Sequence, residues 1–139
     1  MFIGNPVATI MRTLPITMPD FEATAVFGRD GEVIASSIPQ LCQGRAGADL
    51  YAALVGTSEH VAAEIIRGAL EIVVICGSQG STVLARTESA VVMVLTPPTA
   101  DLEALVQDLR RVARAVDRIL STPWTRWRHR LCHDVAAVP

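Results

Sequence analysis

The hydrophobic pattern is strongest between Ala69 and Pro97, where three short apolar runs are separated by small polar breaks. Ile72-Val73-Val74-Ile75-Cys76 is rich in β-branched residues, whose stiff side chains suit a pleated surface. Gly77-Ser78-Gln79-Gly80 is turn chemistry. Thr82 to Ala85 resumes the extended pattern, Thr87-Glu88-Ser89 breaks it, and Ala90 to Leu95 forms a third run. Pro97-Pro98 then ends strand pairing, because proline has no N–H to donate. The spacing predicts an antiparallel three-strand meander against which the rest of the chain packs.

Upstream, Asn5-Pro6 can start a short helix, with Val7, Ile10, Met11 and Leu14 at helical spacing. Pro15 and Pro19 limit it to about two turns. Phe21 to Ser37 is the clearest hairpin: apolar positions alternate up to an Asp30-Gly31 turn, and Val33-Ile34-Ala35 returns. Ile38 to Gly47 reads as a loop. Ala48 to Arg67 reads as a helix whose apolar stripe runs through Leu50, Tyr51, Leu54, Val55, Ser58, Val61, Ala62 and Ile65. Asp49 and Arg67 suit its dipole, and Gly68 is a stop signal. Gly56, in its middle, is either a tolerated irregularity or a point of close backbone approach.

After the meander, Ala100 to Leu120 carries the best helical stripe, from Leu102 through Leu105, Leu109, Val112 and Val116 to Ile119. Thr99 is the expected N-cap. Arg110, Arg111, Arg114 and Arg118 crowd its later turns beside Asp108 and Asp117, a pattern expected of a solvated face. The tail from residue 121 to 139 differs in character. It holds Trp124, Trp127 and Arg128 in a local Trp/Arg cluster, either a cap on the core or a contact surface.

The chain has 139 residues, half of them apolar and 19% charged, which predicts one folded domain over residues 1–120 plus an extension over 121–139. All twelve basic residues are arginine, yet the net charge is −2. Neither nucleic acid nor a membrane is therefore an expected partner. The three cysteines, Cys42, Cys76 and Cys132, form no metal or disulfide spacing, and the longest uncharged stretch is too short to span a bilayer. A cytoplasmic location is expected.

Chemistry is almost absent from the pattern. There is no P-loop, dinucleotide fingerprint or nucleophile elbow. The glycine-rich stretch at Gly77 links two strands and has no helix behind it to hold phosphate. His129, Cys132 and His133 lack a fourth ligand. No catalytic residue, cofactor or metal is expected, and a binding or assembly module fits better than an enzyme.

The predicted order is helix, two strands, helix, three strands, helix, an α+β sandwich built on a five-stranded antiparallel sheet. Together with the first hairpin, Ala23 to Ser36 with its Asp30-Gly31 turn, the helix from Leu50, and the strand and glycine turn from Ile72 to Gly80, this pattern resembles the roadblock/LC7 family of the profilin and longin type. Thr87-Glu88-Ser89 departs from the glycine that the family's last hairpin suggests. The resemblance implies a homodimer, or a pair with a related roadblock protein, joined along the first meander strand at Ile72, Val73, Val74, Ile75 and Cys76. An apolar strand at a sheet edge independently invites such pairing. The resemblance also implies a regulator or scaffold of a small Ras-like GTPase; no arginine is marked as a finger, so an indirect effect on the switch loops is the expected mechanism. The partner surface then maps to Ala52, Gly56, Glu59, His60, Ala63 and Arg67. Two other readings remain open: a sensory module holding a small ligand between sheet and helix, and an adaptor that uses the Trp/Arg tail.

Overall fold

A computed structural model of the chain describes residues 6–12, 21–38, 48–121 and 133–134. In chain order the elements are α1 (Pro6–Met11), β1 (Ala23–Gly28), β2 (Val33–Ser36), α2 (Ala48–Glu64), β3 (Ile72–Gly77), β4 (Gly80–Arg86), β5 (Ala90–Thr96), α3 (Leu102–Leu120) and β6 (His133–Asp134). The strands lie in the order β3-β4-β5-β1-β2-β6. The five strands expected from the alternation pair antiparallel, and β6 adds a two-residue parallel contact to β2 through Ala35 and Ser36.

Because successive strand side chains point to opposite faces, each strand feeds two separate cores. On one face Val26, Val83, Ala85, Val92 and Val94 pack with α1 and with Leu105, Leu109 and Val116 of α3. On the other, Ala25, Phe27, Leu84, Val91 and Met93 pack under Ala48 and Val55 of α2. The Phe27 and Tyr51 rings meet there with centroids 6.3 Å apart. β5 lies near the middle of the sheet and is buried along most of its length, which explains its unbroken apolar run.

The turns follow local chemistry. Gly31 adopts φ +92°, and a Cβ there would collide with the Asp49 carboxylate, so the β1–β2 turn needs glycine twice over. In the last hairpin a threonine holds the turn that was expected to want glycine. The Thr87 hydroxyl accepts from the Ser89 and Ala90 amides, and the Thr87 amide donates to the Ala90 carbonyl at 2.8 Å.

Three expectations about the helices need correction. The N-cap of α3 is Asp101, whose Oδ1 accepts from the Ala104 amide; its charge also suits the positive end of the helix dipole, and Thr99 lies outside the helix. α2 ends at Glu64, so Arg67 lies beyond its last turn. The stop is built by Ile66 at φ +54°: its amide donates to Ala63 and the Arg67 amide donates back to Ala62, a Schellman closure two residues before Gly68. Finally, α2 buries only part of its expected apolar stripe, with Tyr51, Leu54 and Val55 packed on the sheet. Ala48, Tyr51, Ala52, Val55 and Glu59 lie toward the sheet, while Leu50, Val61 and Ile65 are exposed.

Candidate functional site

β3 is the terminal strand of the sheet and pairs only with β4. One row of its backbone N–H and C=O groups therefore faces outward with no strand partner among the described residues. The side chains match the backbone. Ile72 and Val73 are half-buried against the two cores, while Val74 and Ile75 are 42% and 41% exposed and Cys76 is an exposed free thiol. The antiparallel register sets Val74 beside Val83 and Ile75 beside Thr82, so Val74 sits on the α3 face and Ile75 on the α2 face. The opposite border is arranged differently, because β6 lies along β2.

The expected partner face of α2 divides into two groups. Gly56, His60, Ala63 and Arg67 are exposed, and a Cβ on Gly56 would meet nothing within 4 Å. Ala52 and Glu59 are not outward. Ala52 packs on the sheet core, and Glu59 turns toward the ends of β1 and β4. Glu59 Oε2 accepts from Arg86 Nε at 2.8 Å, and Oε1 pairs with the Arg29 guanidinium. The hydrogen bond from Arg29 comes first, with the charge of Arg29 and the bond and charge of Arg86 adding to it. Together they hold the Glu59 carboxyl below its ordinary range against the opposing effect of burial. Sequence spacing gave no sign of this cluster, since the arginines stand 30 and 27 residues from the glutamate.

Rotation of α2 leaves an apolar flank. Leu50, Val61 and Ile65 are 73%, 51% and 59% exposed, and Ile66 beyond the helix is 86% exposed. Leu50, Val61 and Ile65 were expected to face the core. On the far side of the sheet, the arginine-rich face of α3 is partly neutralised: Arg110 pairs with Glu71, and Arg111 with Asp108. Trp124, Trp127 and Arg128 lie outside the described residues. No described helix is long and apolar enough to cross a membrane.

No family model matches the chain. It is 30% identical over 95 residues to the uncharacterised protein MJ1340 of Methanocaldococcus jannaschii, an alignment covering 68% of this chain and 83% of that protein. Among solved structures it is similar to Myxococcus xanthus MglB, with a TM-score of 0.72 at 14% identity, covering 84% of this chain and 96% of that one. It is equally similar to a roadblock/LC7 domain from Streptomyces avermitilis, with a TM-score of 0.72 at 17% identity, covering 83% and 98%. Helices on both sides of a five-stranded antiparallel sheet, in the order read from the sequence, match these structures over nearly their whole length. The chain therefore belongs to one family with MJ1340, and its fold is that of the roadblock/LC7 domain.

Proposed function

We propose that the protein is a non-catalytic dimeric regulator or scaffold of a small Ras-like GTPase. The observation that carries this reading is the bare β3 border. On one side its backbone has no strand partner among the described residues, and Val74, Ile75 and Cys76 present apolar surface there. Isolated apolar side chains on a surface need no explanation, but an apolar strand with an open hydrogen-bonding edge is a template for another strand. A second copy supplies that strand, with β3 facing β3 across a two-fold axis, and the two six-stranded sheets become one.

Such a dimer brings two α2 helices to the same face of the joined sheet. The exposed flank of Leu50, Val61 and Ile65 gives this helical layer apolar contact area, and Gly56 and Ala63 permit close approach by a further protein. His60 and Arg67 supply polar contacts at its margin. The GTPase docks on that composite surface, and the effect on its nucleotide cycle comes through positioning of its switch loops.

The test has two parts. Sedimentation or light scattering gives the solution mass, and titration with a candidate GTPase loaded with GDP or with a GTP analogue gives the binding. A dimer that binds one nucleotide state more tightly supports the proposal. A strict monomer, or equal and negligible binding in both states, refutes it.

A further inference from the structure

The border of β3 also dictates how a second copy can meet it. Along an antiparallel pair, residues that exchange backbone hydrogen bonds with the residue opposite alternate with residues that do not. Glu71, opposite Arg86, is an exchanging residue on the β4 side: its carbonyl accepts from the Arg86 amide at 2.9 Å. The pairing then runs unbroken from the pair Ile72 and Ala85 to the pair Gly77 and Gly80, so Val73, Ile75 and Gly77 exchange with β4 as well. The N–H and C=O groups of Ile72, Val74 and Cys76 are left to face the border, where no strand lies among the described residues.

The side chains impose the same rule. Ile72, Val74 and Cys76 lie on the α3 face of the sheet, and Val73 and Ile75 on the α2 face. Residues opposite each other in an antiparallel pair point to the same face. In a continuous sheet, Ile72, Val74 or Cys76 of one copy must therefore stand opposite one of the same three in the other. With Val74 on the two-fold axis, three pairs exchange hydrogen bonds: Ile72 with the partner's Cys76, Val74 with the partner's Val74, and Cys76 with the partner's Ile72. A slip to the next allowed register, in either direction, carries one of these residues past the end of the strand and leaves only two such pairs. In the centred register every side chain meets an apolar neighbour, and on the α2 face Val73 meets the partner's Ile75.

We propose that the second copy docks in this one register, with Val74 on the two-fold axis, and that its Cys76 lines a groove on the α3 side of the first copy. The groove runs between α3 and the start of β3, over Ile72, Ala85 and Ala113. Alanines face each other there from strand and helix, so the two layers do not fill the space between them. Ile72 forms its border side, and the partner's Cys76 stands beside Ile72 on the same face. Each groove thus takes a wall residue from the other copy. This inference rests on the dimeric reading above and adds the register of the contact.

The experiment is oxidative cross-linking of the full chain, with sedimentation of the same unoxidised proteins beside it. Val74→Cys and Ile75→Cys are introduced singly into a chain whose Cys42, Cys76 and Cys132 are replaced by serine; both positions are exposed, so the core is spared. In the proposed register the two copies of residue 74 lie about 5.5 Å apart at Cα, within disulfide reach, and the two copies of residue 75 about 8 Å apart, beyond it. Val74→Cys should give at least roughly tenfold more disulfide-linked dimer than Ile75→Cys. Ile72→Cys should also link in a chain that keeps only Cys76 of the native cysteines. Cys76 alone should not, because its two copies lie about 14 Å apart. A sedimenting dimer in which Val74→Cys fails to link, or in which Ile75→Cys links as readily, overturns the register and leaves the dimeric reading intact. A monomer at every concentration overturns both.

Discussion

Arg86 Nε donates to Glu59 Oε2 at 2.8 Å, tying the end of a central strand to the middle of the helix that covers it. Arg29, from the β1–β2 turn, engages the other carboxylate oxygen. The rotation of α2 agrees with this cluster rather than with the helix's most apolar stripe. A helix that turned Leu50, Val61 and Ile65 onto the sheet would carry Glu59 away from both arginines.

Removal of this carboxylate should have a pH-dependent cost. The two arginines lower the folded-state pKa of Glu59, so its stabilising contribution is present above the unfolded carboxyl value and fades as pH falls through the folded one. Glu59→Gln should lower stability by about 1 kcal/mol or less at pH 7, since the arginines are partly solvent-exposed and water screens the pair. Thermal melts of both proteins at pH 7 and at pH 3 measure this, and the gap between them should narrow in acid.

The β3 border can be tested without disturbing the core. Ile75→Lys places a charge on an exposed edge position, a device that natural sheets use against unwanted pairing. Dimer affinity should fall at least roughly tenfold, with little change in the melt of the monomer. Sedimentation across a concentration series reads the first quantity, and circular dichroism the second.

Gly56 distinguishes a free helix face from an occupied one. Its Cβ would enter open space, so Gly56→Ala should stabilise the isolated chain by roughly 1 kcal/mol through helix propensity alone. If a partner backbone packs closely there, the same substitution should weaken GTPase binding. A stabilised chain with unaltered partner affinity would remove Gly56 from the docking surface.

Ile66 holds a left-handed conformation at φ +54°, which β-branched residues rarely adopt. Ile66→Gly should therefore stabilise the fold by about 1 kcal/mol. Its side chain is 86% exposed, so almost no packing is lost in exchange. Denaturant unfolding measures the gain; a loss of stability would show that relief of backbone strain does not outweigh the entropy cost of glycine.

Asp101→Ala should cost α3 about 1 kcal/mol, because the Ala104 amide loses its acceptor. Thr99→Ala should cost nothing comparable. The paired melts decide between the cap expected from the sequence and the one that forms.

What the amino-acid order determined by itself is the set of elements and the exposed strand. β-branched runs, the Asp30-Gly31 turn, the paired prolines and the stripe of α3 are signals within a few residues of one another, and they specify backbone geometry locally. Knowing the family resemblance, the place of Ile72 to Cys76 at a border followed as well. Tertiary structure alone decided which way α2 faces: Ala48, Tyr51, Ala52, Leu54 and Val55 pack on the sheet, and Glu59 meets Arg29 and Arg86 across 30 and 27 residues. It alone decided that Arg110 meets Glu71, 39 residues away, and that two alanines leave a gap beside them. Side-chain periodicity says which face of an element is apolar; only the packed neighbours say which charges that face must satisfy.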